Sequence, residues 1–187
     1  MKRSVCAVLL FLMTVTLLLA QNSPAPPKPA PEMERVKYFL GTWNESGTMQ
    51  PGPMGPGGKF TGTSHNEMGL GGFFMIAHST FNATGMSGTG VAYMGYDANK
   101  KVYTYDEFSS MGEAEHSTGN VNDKTWTWTN ENDMGGQKFT GRFTLVQTSA
   151  TSYNMKYEYS TDGGGTWKLI MEGTGTKQAS EGQSKKK

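Results

Sequence analysis

Cysteine is nearly absent from this 187-residue chain: the single one, Cys6, lies inside an N-terminal apolar run. Without a second thiol no intrachain disulfide forms, so packing and backbone hydrogen bonds must hold the domain together. No long amphipathic helical pattern occurs, which excludes a helical bundle. Gly-x-Ser-x-Gly is missing too, and with it a serine-nucleophile signal. Basic surface is equally scarce. Between Glu32 and Thr176 there are 10 Lys and Arg against 15 Asp and Glu, a net of −5, although the whole chain is formally +1. A mildly acidic body argues against nucleic acid as a partner.

The positive residues gather at the ends. Lys2 and Arg3 precede the apolar run Val5 to Ala20, which is shorter than the roughly 20 residues of a membrane span. The pattern reads as a signal peptide over 1–20, cleaved near Ala20-Gln21, and predicts an exported protein, periplasmic or extracellular, with no membrane span after cleavage. Residues 21–31 (QNSPAPPKPAP) form a Pro-rich linker, extended and unable to build a core. The closing Lys185-Lys186-Lys187 run marks 178–187 as a disordered, solvated basic tail.

What remains, 32–177, is rich in glycine, aromatics and threonine, the composition of a β protein with many turns. Glu32 to Leu40 can form two helical turns, with Met33, Val36, Lys37 and Leu40 on one face. Such a segment can lid one end of a barrel. Phe39-Leu40-Gly41-Thr42-Trp43 then leads into the strands. Gly41 permits close backbone approach, and the Trp43 indole can plug a barrel end. About ten alternating stretches follow, separated by turn signals every 10 to 13 residues or so. Lys124 to Asn130, for example, puts Trp126 and Trp128 on one face and Thr125, Thr127 and Thr129 on the other. Gln50 to Gly58 (QPGPMGPGG) cannot be a strand and reads as a long Gly-Pro-Met loop. The pattern predicts an all-β, antiparallel up-and-down barrel of about ten strands with a short N-terminal helix. Closure would remove the exposed edges that a disulfide-free exported protein has to manage.

Ser160-Thr161-Asp162-Gly163-Gly164-Gly165-Thr166-Trp167 has the spacing of an Asp-box, Ser-x-Asp-x-Gly-x-Thr-Trp. It resembles the tight hairpins of sialidase propellers, where the motif is structural. His65 and Glu67 share a strand face, and His78 lies on the next strand. Together they could supply two imidazoles and a carboxylate to a metal, although their face is Thr-rich and expected to meet solvent. The methionines lack Met-x-Met clustering, so they read as lining for a core or apolar cavity rather than a copper site. Glu107 shares a face with Tyr103 and Tyr105. If that face points inward, its carboxyl is buried, with a raised pKa, and can orient a polar ligand or act as a base.

In order along the chain come Gly41-Thr42-Trp43, Gly71-Gly72-Phe73-Phe74, Gly95-Tyr96-Asp97, Tyr103, then Asp162 with Thr166-Trp167. This ordered set resembles the bacterial domain-of-unknown-function family numbered fifteen seventy-nine, over roughly Glu32 to Lys177. The resemblance implies a lipocalin-like, calycin-type barrel and no established activity. That family often carries aromatic-x-Asp-Ser in its fifth strand, where this chain reads Glu107-Phe108-Ser109-Ser110. Gly-x-Trp is also similar to the haem-binding nitrobindin barrels, but those need a late His and none follows His116. No cofactor is therefore expected.

The function expected is a binding module enclosing a small, largely apolar molecule, with Trp43, Tyr105, Glu107, Trp128 and Tyr157 as ligand-binding residues. Two alternatives stand beside it. One is an enzyme, a hydrolase or isomerase, using Glu107 or a metal on His65, Glu67 and His78. The other is a filled barrel acting through its surface. Nothing in the sequence signals an oligomeric state.

Overall fold

The computed structural model describes residues 26–52, 55–134 and 136–179. The expected signal peptide over 1–20, residues 21–25 of the expected Pro-rich linker, positions 53 and 54 in the Gly-Pro-Met loop and the closing Lys run of the expected basic tail lie outside the described residues.

The chain enters through a short helix, α1 (Met33–Val36), which tightens into a 3-10 turn over Lys37–Phe39. Ten strands follow: β1 (Gly41–Met49), β2 (Gly58–Gly69), β3 (Phe74–Ala83), β4 (Met86–Asp97), β5 (Val102–Ser109), β6 (Ala114–Asn122), β7 (Thr125–Met134), β8 (Gln137–Ser149), β9 (Ser152–Ser160) and β10 (Lys168–Lys177). Each pairs antiparallel with the next, and β10 returns to β1, so the sheet closes as an up-and-down, lipocalin-like (calycin-type) barrel. The closing register runs from Trp43 opposite Lys177 to Met49 opposite Met171. Every strand therefore has both edges paired, and none is left as a template for association.

The helical lead-in is the one element whose face differs from expectation. Met33, Val36 and Phe39 are buried, whereas Lys37 points out to an ion pair with Glu34. The cause is the 3-10 turn: at three residues per turn, positions three apart eclipse, so Phe39 joins Met33 and Val36 inward, while Leu40 packs partly buried against the same core as expected. The lid is pinned to four strand ends or hairpins. Tyr103 donates to the Glu32 carbonyl (3.1 Å), Tyr38 to the Ser152 carbonyl (2.7 Å), Arg35 to the Asp123 carbonyl and Lys177 to the Tyr38 carbonyl (3.4 Å).

Beneath the lid lies an aromatic plug. Trp43, wholly buried, donates its indole N–H to the Phe39 carbonyl at 2.7 Å, and Asn66 donates to the same oxygen at 2.9 Å. Trp43 packs 4.9 Å from Tyr153, Phe39 5.1 Å from Trp126, and Tyr103 4.8 Å from Trp126. Inward glycines make room for these rings: a Cβ on Gly175 would sit 2.2 Å from Cζ of Tyr153.

The Asp162 hairpin is built as its motif implies. Asp162 accepts from the Thr166 N–H (2.9 Å), the Thr166 hydroxyl (2.7 Å) and the Ser160 hydroxyl (2.6 Å). Gly163 and Gly164 take positive φ, which only glycine adopts freely. Trp167 then carries the Arg142 guanidinium 3.8 Å over its ring, on the outer surface, where Arg142 also donates to Glu158. No helix among the described residues is long and apolar enough to cross a membrane.

Candidate functional site

Strand alternation divides the barrel interior into levels. The level nearest the lid is solid: Trp43, Met75, Met94, Tyr103, Trp126, Leu145 and Tyr153 are all buried. Farther along, most inward side chains are only half-buried, among them Glu45, Ser79, Phe81, Tyr105, Glu107, Phe143 and Tyr157. The mouth away from the lid holds a cavity of about 390 Å³, bounded by Pro51 from the β1–β2 loop and by Phe139, Tyr159, Lys168 and Ile170.

Four of the five expected ligand residues share the middle of the barrel. Tyr105 lies 6.4 Å from Trp128, and Trp128 lies 6.2 Å from Phe143. Phe143 pairs across the ladder with Tyr157. Tyr105 donates its hydroxyl to Glu107 at 3.2 Å. Trp43 stands apart: it is part of the plug, with its N–H used and no exposed surface, so it cannot line a cavity for this group.

This middle level is polar as well as aromatic. Glu45, two residues after Trp43 on the same face, accepts from the Tyr153 hydroxyl. Glu115 accepts from Ser117 at 2.7 Å and is the direct cross-strand partner of Glu107. Neither acid drew notice in the sequence. Glu45 was findable from its parity with Trp43; Glu115 needed the β5–β6 register. Burial raises the Glu107 carboxyl above its ordinary value, and the charges of Glu115, Glu45 and Glu113 add to the rise against the Tyr105 hydrogen bond. Burial also raises Glu45, opposed by the bond from Tyr153. Tyr105 and Tyr153 are raised by burial first, then by the neighbouring acids.

The indole nitrogen of Trp128 and both amide atoms of Asn130 at this level have no partner among the described residues, nor does the indole nitrogen of Trp126 in the level nearest the lid. Asn130 is inward-facing and sits over Gly141 beside the Tyr157 hydroxyl; burial raises the pKa of that hydroxyl, and the Asn130 contact lowers it by less. Such orphaned groups are costly and call for an explanation.

His65, Glu67 and His78 gather elsewhere. His65 and His78 are direct cross-strand neighbours on β2 and β3, but both are exposed on the outer face with Glu67, and His65 lies 3.0 Å from the Thr42 hydroxyl. They do not surround the interior. Among the described residues no group of three or more His, Cys, Asp or Glu is placed to hold a metal ion.

A family model described as "Protein of unknown function (DUF1579)" matches residues 28–177. Among solved structures, the chain is similar to one described as "Structure of EF1p2_mFAP2b bound to DFHBI", at 13% identity and a TM-score of 0.43, over 78% of this chain and 98% of that one. The comparison with curated proteins gave no match.

Proposed function

We propose a role for this chain from the premise that it belongs to the DUF1579 family of proteins of unknown function: it is a binding module that holds one small, largely apolar molecule in the barrel half away from the lid. The observation that carries this reading is the asymmetry of the interior. Evolution toward a filled structural barrel has no need to pack one end with Trp43, Trp126 and Tyr153 while leaving Tyr105, Phe143 and Tyr157 half-buried at the next level. A mouth cavity of about 390 Å³ falls within the range typical of small-molecule sites, roughly 300–1,000 Å³. Trp128, Tyr105 and Tyr157, none of which bounds that mouth cavity, form the wall deeper in the barrel, where Glu107 orients the ligand's polar end.

The module works outside the cytoplasm. Support for this comes from Lys2, Arg3 and the apolar run to Ala20. Native mass spectrometry of protein purified from its own cells tests both points. The expected result is a chain beginning near Gln21 that carries one non-covalent adduct of defined small mass. Bare protein, with Trp128 indifferent to every added probe, refutes the binding role; an intact Met1 refutes cleavage, and recovery of that form from the cytosol refutes export.

A further inference from the structure

Glu107 and Glu115 face each other across the β5–β6 ladder, on the inward face of a closed barrel. Like charges directly opposite on a sheet repel, and burial weakens the screening that makes such pairs tolerable at a surface. Glu45 reaches the same space from the far side of the barrel and contributes to the field at Glu107. None of the three acids takes part in an ion pair among the described residues; the five pairs found lie on the outer surface or at the lid. The hydrogen bonds they do receive come from neutral hydroxyls of Tyr105, Ser117 and Tyr153. The centre of the barrel thus concentrates negative charge with no counter-charge.

A second observation is independent of the acids. Asn130, 6% exposed, and Trp128, 5% exposed, hold buried polar atoms at this level with no aligned partner among the described residues, although the Tyr157 hydroxyl lies beside the Asn130 amide. Their unmet hydrogen bonds mark a place where a polar group from outside the chain is missing. Around them stand the rings of Tyr105, Trp128, Phe143 and Tyr157, and aromatic faces attract cations through their quadrupole. The acids are not clustered as chelators, which disfavours a bare metal ion and suits a larger, softer cation.

Resting on the binding role above, we propose that the ligand is an organic cation: an ammonium or similar group lodged between Glu107 and Glu115, its apolar body against Trp128 and Tyr157. Glu45 completes the negative field from the opposite wall. The Asn130 amide takes a polar substituent of the same molecule.

The test uses three probes of matched chain length: octyltrimethylammonium, octanol and octanoate. Binding is read from the indole N–H resonance of Trp128 and by calorimetry. The cation is expected to bind about tenfold or more tightly than octanol, as a desolvated cation–π contact beside a carboxylate supplies, and octanoate more weakly than either. In the paired variant Glu107→Gln, Glu115→Gln the cation's advantage should vanish while octanol is unaffected. If octanol or octanoate binds as tightly as the cation, or the Gln pair leaves the preference intact, the cation assignment is overturned and the binding role survives. If none of the three shifts Trp128, both are overturned. Thermal melting of the ligand-free Gln pair guards against misfolding: relief of buried repulsion should raise its Tm, whereas a purely structural role for the two acids would lower it.

Discussion

The carbonyl of Phe39 is the junction between lid and barrel, because it accepts from Trp43 at 2.7 Å and from Asn66 at 2.9 Å while buried. Trp43→Phe removes one donor and leaves the oxygen satisfied by the other. The lost bond is worth about 1 kcal/mol. The lost part of the indole, in a site with no exposed surface, adds about 1–2 kcal/mol at roughly 0.8 kcal/mol per buried methylene-sized group. The sum, about 2–3 kcal/mol, should lower Tm by about 4–12 °C for a domain of this size. Asn66→Ala removes the other donor and should cost about 1 kcal/mol, softened because the Asn66 side-chain oxygen is itself without a partner. The double variant is the decisive one. It strands a buried carbonyl, so its loss should exceed the sum of the two by about 1–3 kcal/mol. Urea denaturation, with unchanged m-values to show that the same surface unfolds, gives all three numbers. Additivity within about 0.3 kcal/mol would mean that the shared acceptor does not join the lid to β1 and β2.

Other outcomes follow from single sites. Gly175→Ala places a methyl inside the Tyr153 ring, which is held between Trp43 and Phe39, and should cost about 1–3 kcal/mol by overpacking; a neutral result in the same urea titration would contradict the packing described. Glu107 binds its proton more tightly folded than unfolded, so the native state holds more protons between the ordinary Glu value and the raised one, and its contribution to stability falls as pH rises through that window. Glu107→Gln should therefore flatten the decline in Tm between mildly acidic and neutral pH; an unchanged profile would place the charge elsewhere. Asp162 is the opposite case: hydrogen bonds from Ser160 and Thr166 hold its carboxyl well below the usual range, so its contribution is present at neutral pH and lost as pH falls. Asp162→Asn should lower Tm at neutral pH and narrow the gap to wild type in acid, and a constant gap would refute it.

Chain-local chemistry made much of this protein readable without coordinates. Period-two alternation, as around Trp126 and Trp128, announced strands and their two faces, because a strand's faces are set by parity alone. Gly-rich breaks marked the hairpins, and the Asp162 motif contains all its own partners within eight residues. Short connections then left an antiparallel meander as the economical topology.

Tertiary structure decided what parity cannot express. Which residues of different strands stand opposite depends on register, so the pairing of Glu107 with Glu115 existed only once β5 and β6 were aligned. Depth along the barrel is likewise set by strand stagger and by where the lid lands; that separated Trp43, sealed in the plug, from Tyr105, Trp128 and Tyr157 in the half-open centre. The 3-10 tightening that turned Phe39 inward depends on tertiary hydrogen bonds to its carbonyl, donated by residues four and 27 positions away. Alternation along one chain says inside or outside; only closure of the sheet says next to what, and unpaired charge is a property of neighbours.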